Sequence, residues 1–384
     1  MRIKCFLICL TFLLAGVAGR VAAQNVSVYA GASKTLYDGR FYPALFGDKV
    51  APVYPTFDVK VGWTDNSSSP FASICKHPEV GVGFQFDGVA SVKAANGPGM
   101  GNIYSLYGYF DRPFLTAGRF SLGYSGEFGL GFMFSRRYDP DTNPWNVIIS
   151  SPVNAHISLG LQATYALSSR YDVGIGLFFN HHSNGAVTFP NYGLNAFELA
   201  MRVGMKSPRS KEHLPAEPVD DGFKRRFQFA VQVSGGIMSN EASYLKTLEE
   251  TGTWVNDRYF KYSFQVNAIY RYSRSMASGL GIDLYVTPFC DKIAESDGQG
   301  LKYDPVSVGI SALHEFSYRD FSMMVGVGRY LHHNDGLEQA QVWYQMVALK
   351  YYFPKLADMY LGIVLKAHRF RAAESIQFCL GKRF

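Results

Sequence analysis

Residues 119–134, RFSLGYSGEFGLGFMF, alternate between large apolar side chains and small or polar ones. The intervening positions are mainly serine and glycine, with Glu127 among them. A period of two puts successive side chains on opposite faces of a β-strand. Long strands with one oily face and one small or polar face are typical of a barrel with lipid outside and water inside. The apolar set is Phe120, Leu122, Tyr124, Phe128, Leu130, Phe132 and Phe134.

The same pattern recurs along the chain and predicts an all-β fold, a transmembrane antiparallel β-barrel of about 14 to 16 strands. The last residues, SIQFCLGKRF, keep the alternation and end on an aromatic, as the terminal strands of outer membrane proteins do. An even strand count would place both ends in the periplasm. The candidate strands lie near 25–31, 55–63, 79–87, 103–112, 119–134, 153–166, 171–183, 194–206, 226–238, 260–273, 277–287, 305–318, 320–330, 342–352, 358–368 and 374–384.

The N-terminal residues predict export. Arg2 and Lys4 precede an apolar run and then small residues, which is the pattern of a signal peptide over residues 1–23, cleaved after Ala23. Cleavage would lower the formal net charge from +6 to +3, because Arg2, Lys4 and Arg20 are lost. So small a surplus gives no reason to expect a nucleic-acid partner. We therefore expect residues 24–384 to form one barrel in the outer membrane.

Loop lengths fit this topology with one exception. Connections near 167–170, 274–276 and 319 are short and fall on the expected periplasmic side, whereas those on the other side are long. Residues 206–226, KSPRSKEHLPAEPVDDGFKRR, are long and charged, yet count as periplasmic. This segment is either a tether or a seam between two halves.

Polar residues interrupt the oily face where one candidate strand ends. In YDVGIGLFFNHHSN, residues 171–184, the alternation places His181 and Ser183 outward, toward lipid, and His182 inward. The next strand, LNAFELAMRVGMK, puts Asn195 on its own outward row, beside His181 across the hairpin. Side chains two apart on a strand are about 6.5 Å apart at the backbone, so an imidazole and a hydroxyl can meet.

This arrangement predicts acyl transfer. Ser183 would attack an ester carbonyl, His181 would take its proton, and Asn195 would orient the imidazole, as in Cys-His-Asn enzymes. The oxyanion could be stabilised by the Asn191 side chain and by backbone N–H groups near Gly185 and Ala186. No metal or other cofactor is expected, because adjacent His181 and His182 point to opposite faces and the cysteines lack metal-ligand spacing.

H-x-S-N followed by P-N-x-G-x-N, across one strand end and the next strand start, resembles the lipid A 3-O-deacylase family. More specifically, it resembles the acyloxyacyl hydrolase-like outer membrane proteins of the Bacteroidetes. The similarity extends over about residues 79–206, with a vaguer match beyond. It implies His181 as base, Ser183 as nucleophile, Asn191 as oxyanion donor and Asn184 as a supporting residue. Asn195 stands where that family has an acid.

The substrate implied by this resemblance is lipid A or lipopolysaccharide, reached from the outer leaflet. Arg136 and Arg137, on a predicted outer loop, are candidates to hold its phosphates. Two alternatives stay open. Outer membrane phospholipase A also resembles H-x-S-N-G and uses a His-Ser-Asn triad, with calcium and dimerisation, so a homodimer is conceivable. A barrel without enzymatic activity, such as a porin or a scaffold, would use the same strands.

Overall fold

The computed structural model describes residues 25–36, 42–47, 51–206, 222–297, 300–337, 341–369 and 372–384. The predicted signal peptide, residues 1–23, lies outside these ranges, as do residues 207–221 of the charged segment. No helix in the described ranges is long and apolar enough to cross a membrane.

The first half of the chain is a closed, antiparallel eight-stranded barrel in which each strand pairs with the next and β1 pairs with β8. Its strands are β1 Asn25–Thr35, β2 Val53–Thr64, β3 Glu79–Asp87, β4 Ile103–Ala117, β5 Phe120–Phe132, β6 Val153–Ala166, β7 Tyr171–Ser183 and β8 Leu194–Lys206. Two short helices, α1 Tyr42–Phe46 and α2 Pro70–Ile74, lie in its connections.

The second half is another closed barrel of eight strands, in which β9 pairs with β16. Its strands are β9 Arg226–Ser239, β10 Arg258–Arg271, β11 Met276–Val286, β12 Val306–Tyr318, β13 Phe321–His332, β14 Trp343–Phe353, β15 Met359–His368 and β16 Ala372–Arg383. Helices α3 Glu241–Thr251 and α4 Cys290–Asp297 lie in its long loops.

The prediction of a single barrel is therefore wrong, although every candidate segment contains a strand. The physical reason is that alternation determines which side chains of a strand face lipid and which face the lumen. It does not determine which distant strands pair to close the barrel. Closure depends on pairs such as Asn25 with Lys206, which lie at opposite ends of the first half. The charged segment at 206–226 joins the two barrels.

Both barrels are apolar outside and filled with side chains inside. On β8 the outward Leu199 and Met201 are 62% and 74% exposed, whereas Ala200 and Arg202, which alternate with them and face inward, are buried. In the first lumen Lys60 Nζ lies 2.7 Å from Glu127 Oε1. In the second, Lys261 pairs with Glu374. The interior of an eight-stranded barrel is just wide enough for side chains to fill it or for one small ligand. Both lumens here hold packed side chains.

Each barrel has a loop end with long connections and a turn end with mostly short ones; in the first barrel the β7–β8 connection lies at the loop end. At the turn end the barrels contact each other. Asp65, in the connection after β2, accepts hydrogen bonds from the hydroxyl of Tyr318 and, at 2.8 Å, from Arg319 Nη2 in the second barrel. Phe110 packs edge-on against Tyr318, with ring centroids 5.1 Å apart.

Candidate active site

The β7–β8 hairpin brings the predicted triad together. Its register pairs His181 directly with Asn195 across the two strands. Along β7, Asn180 and His182 are buried in the lumen, so His181 and Ser183 stand on the opposite, outer face.

The three side chains form a continuous hydrogen-bond chain. His181 Nδ1 lies 2.7 Å from Asn195 Oδ1, and His181 Nε2 lies 2.8 Å from Ser183 Oγ. An amide oxygen can only accept, so Nδ1 carries the imidazole proton and Nε2 accepts from the serine hydroxyl. This is the arrangement that a general base needs in order to deprotonate a nucleophile.

Ser183 is only 5% exposed although it faces outward, and Gly193, the last residue of the β7–β8 loop (residues 184–193), lies against it. Gly193 closes this loop against the triad at a φ of +73°, a conformation that favours glycine. A Cβ atom at Gly193 would lie 3.3 Å from Ser183 Cβ and 3.4 Å from His181 Cε1. A residue with a Cβ atom here would have to displace its neighbours by a few tenths of an ångström.

Asn184 shapes the start of the β7–β8 loop. Its Oδ1 accepts from the Val187 N–H at 3.1 Å, and its Nδ2 donates to the Thr188 carbonyl at 2.9 Å. Asn191 reaches back across the loop, and its Oδ1 accepts from the Asn184 N–H at 3.1 Å. This bond leaves Nδ2 as the end of the Asn191 amide that can donate to a substrate.

The loop between β5 and β6 supports the site from within the first barrel. The N–H of Gly193 donates to the Ile148 carbonyl at 3.0 Å. Arg136 and Arg137 belong to this loop; Arg136 is exposed and Arg137 is half-buried. The Arg136 carbonyl accepts from Asn146 Nδ2 at 2.6 Å, which fixes the backbone from which its side chain extends. Both arginines thus lie at the same end of the barrel as the triad.

A second polar chain lies on the lumen face of the same strands. His182 Nε2 is 3.0 Å from His156 Nδ1, and His156 Nε2 is 3.4 Å from Glu127 Oε2. Both histidines are buried, and His182 is the immediate neighbour of His181 and Ser183. The strands that carry the triad on their outer face therefore carry packed polar side chains on their lumen face. No group of three or more His, Cys, Asp or Glu in the described part of the chain could hold a metal ion.

Sequence reasoning missed Gly193 and the contacts that the second barrel makes with the β7–β8 loop. Gly193 could have been found from its place in the P-N-x-G-x-N segment. The second-barrel residues give no such signal, because they lie more than 40 residues away along the chain.

Residues 227–384 match the model of the family described as acyloxyacyl hydrolase, C-terminal domain. This match coincides with the second barrel, β9 to β16. The predicted family is thus confirmed, but the match covers the other half of the chain from residues 79–206, on which the prediction was based. The matched residues 227–384 contain no His-x-Ser sequence, and the triad lies in the first barrel.

No curated protein matches the chain. Among solved structures, Neisserial surface protein A is 14% identical, with 48% of this chain and 97% of that chain covered at a TM-score of 0.30. The outer membrane enzyme PagL is 17% identical, with 46% and 97% covered at a TM-score of 0.30. An outer membrane channel from Pseudomonas putida F1 is 11% identical, with 95% and 96% covered at a TM-score of 0.18.

Proposed function

We propose that this protein is an outer membrane serine esterase that removes an ester-linked acyl chain from lipid A. The observation that carries the proposal is the hydrogen-bond chain from Asn195 through His181 to Ser183. The family of the second barrel supports ester hydrolysis, and the resemblance of the H-x-S-N segment supports lipid A as the substrate.

In this mechanism Ser183 Oγ attacks the ester carbonyl while its proton passes to His181 Nε2. The oxyanion of the tetrahedral intermediate accepts hydrogen bonds from Asn191 Nδ2 and from backbone N–H groups near Gly185 and Ala186. The intermediate expels the alcohol of the sugar, which takes the proton from His181, and leaves an acyl group on Ser183. Water then attacks this acyl-enzyme, again with His181 as base, and releases the fatty acid.

The outer surface around the triad suits a lipid substrate. Phe179 and Phe197 lie one step down the same outer face from His181 and Asn195, with ring centroids 5.7 Å apart. An acyl chain lying in the membrane can contact these rings while its ester reaches Ser183. We place the loop end in the outer leaflet, where Arg136 and Arg137 could pair with lipid A phosphates.

The test is mass spectrometry of lipid A from cells that express the wild type or Ser183→Ala. Loss of an acyl chain only with the wild type would support the proposal. Unchanged lipid A, with both proteins folded and inserted, would contradict it.

Phospholipase A activity is the second candidate, because the third member of the triad is an amide rather than an acid. It would use the same Ser183 and His181 on a glycerophospholipid, with calcium and a homodimer as the resemblance implies. Release of fatty acid from phospholipid vesicles, with unchanged lipid A, would favour it. A porin is disfavoured because both lumens are filled with side chains.

Gly193→Ala tests whether the absence of a side chain at residue 193 is needed for the triad to keep its geometry. We expect ester cleavage to fall by up to about 10-fold, because the added methyl group would shift Ser183 and His181 by a few tenths of an ångström, and a displacement of about 1 Å costs about 100-fold. The matched control is Gly118→Ala: Gly118 has a φ of +59° and open space around its Cβ position. Both variants strain the backbone, but only Gly193→Ala reaches the triad. Equal activity in the two variants would contradict this role.

A further inference from the structure

The β7–β8 loop of the first barrel is held by the second barrel. Ser239, the last residue of β9, donates from its N–H to the Ala186 carbonyl and from its hydroxyl to the Val187 carbonyl, both at 2.8 Å. A Cβ atom at Gly185 would overlap the Ile376 side chain of β16, so the two barrels are in close contact here.

The loop between α3 and β10 binds the β7–β8 loop at Phe189, through Asn256 and Trp254. Asn256 Oδ1 accepts from the Phe189 N–H at 2.7 Å, and Asn256 Nδ2 donates to the Phe189 carbonyl at 3.0 Å. Trp254 Nε1 donates to the same carbonyl at 2.9 Å. The Trp254 ring also packs edge-on against Tyr138 of the first barrel, at 5.4 Å between centroids.

These contacts involve the residues whose backbone N–H groups are proposed to stabilise the oxyanion. Gly185 and Ala186 have φ values of +63° and +66°, and a left-handed alanine is unfavourable unless its surroundings impose it. Ser239 binds the carbonyl of Ala186, and Asn256 binds the residue two positions before Asn191. The second barrel therefore constrains both ends of the segment that would supply the oxyanion donors.

We propose that the second barrel completes the active site of the first by fixing the β7–β8 loop, with Asn256 as its main positioning residue. This proposal rests on the esterase activity proposed above. It gives the second barrel, which has no His-x-Ser sequence, a part in the reaction: it holds the oxyanion donors at the distance from Ser183 that the transition state requires.

The experiment uses the full chain in detergent micelles, with a chromogenic fatty-acyl ester and with a fluorophosphonate that labels activated serines. The variants are Asn256→Ala, which removes both bonds to Phe189, and Asn256→Asp with Trp254→Phe, which keeps the acceptor and removes both donors. Thr253→Ala is the matched control, because the Thr253 hydroxyl donates within its own loop, to the Thr251 carbonyl at 3.4 Å.

We expect kcat to fall by about 10- to 100-fold in both Asn256 variants with KM little changed, since a misplaced transition-state contact lowers kcat. Labelling of Ser183 should slow in parallel, and Thr253→Ala should match the wild type. An active wild type with Asn256 variants equal to Thr253→Ala would overturn the positioning role and leave the esterase standing. A wild type that neither cleaves ester nor labels at Ser183 would overturn both.

Cationic side chains cluster at the turn end of the second barrel. A cavity of about 330 Å³ opens there, lined by aromatic residues that include Phe71 of the first barrel and by six cationic side chains. These are Lys224, Arg226, Arg271, Arg274, Arg319 and Arg383. Of the carboxylates near this cavity, Glu315 pairs with Arg271 and lies 3.7 Å from Arg383, and Asp65 pairs with Arg319.

Arg383 makes only long ion pairs with the carboxylates around it. Its Nη1 and Nη2 lie 3.7 and 3.6 Å from Glu315 and Asp358, which is beyond hydrogen-bond distance. Its Nε is buried without a hydrogen-bond partner among the described residues. The Arg383 side chain is 14% exposed. A guanidinium with unused donors beside a cationic cavity is a site for an oxyanion.

We infer that this cavity binds a phosphate-bearing anion, either a soluble phosphate or the headgroup of an anionic phospholipid. The test is calorimetric titration of the full chain with inorganic phosphate and, separately, with short-chain phosphatidylglycerol against phosphatidylcholine. Arg383→Gln and Arg274→Gln should weaken binding by about 10-fold, the effect of one charge-assisted hydrogen bond. Arg170→Gln, an exposed arginine at the turn end of the first barrel, should bind as the wild type does.

Binding of inorganic phosphate would identify a soluble anion, and binding of phosphatidylglycerol alone would identify a lipid headgroup. Binding that is equal in all variants, or no binding of either probe, would overturn the inference.

Discussion

Ser183→Ala is expected to reduce ester cleavage by at least about 1,000-fold, because removing the nucleophile of a triad costs up to about a million-fold in kcat. The residual rate would come from the oxyanion donors and from substrate binding alone. The variant should fold, since alanine fits the space of serine and the strand register does not depend on the hydroxyl. The measurement is fatty-acid release from purified lipid A in mixed micelles.

Ser121→Ala is the control for this experiment. Its hydroxyl contacts the Leu115 carbonyl at the turn end, far along the barrel from the triad. Both variants should keep the shift in gel mobility on heating that a folded barrel shows. If Ser183→Ala retained wild-type activity, Ser183 would not be the nucleophile, and the catalytic assignment would fail even if lipid A is cleaved.

Asn195→Ala is expected to lower kcat by about 100-fold, less than the roughly 10,000-fold caused by the wrong histidine tautomer in a serine protease. The loss arises because nothing then accepts from His181 Nδ1, so the imidazole can rotate or take the other tautomer. The loss is smaller because a neutral amide stabilises the imidazolium less than a carboxylate does. The assay is again ester cleavage, with kcat and KM determined separately.

Asn195→Asp distinguishes orientation from charge. A carboxylate at the same position accepts the same hydrogen bond and also stabilises the imidazolium, so we expect activity equal to or above that of the wild type. Loss of activity in Asn195→Asp comparable to that in Asn195→Ala would contradict the orienting role. The outcome also shows whether the amide, which departs from the acid of the deacylase family, limits the rate.

Much of the candidate site could be predicted because it is local. His181, Ser183 and Asn195 lie within 15 residues on one hairpin, and a period of two fixes which side chains share a face. The hairpin then pairs His181 with Asn195. Gly193 was missed because its importance lies in a close approach to His181 and Ser183, which alternation does not reveal.

The sequence by itself determined the strands, their lipid-facing and lumen-facing sides, and the residues that meet across the β7–β8 hairpin. These follow from local periodicity and short connections. Only the tertiary structure decided that the strands close as two barrels, because closure pairs β1 with β8 and β9 with β16 across long stretches of chain. It also decided that Asn256 meets Phe189, a contact between residues 67 apart that no local pattern encodes.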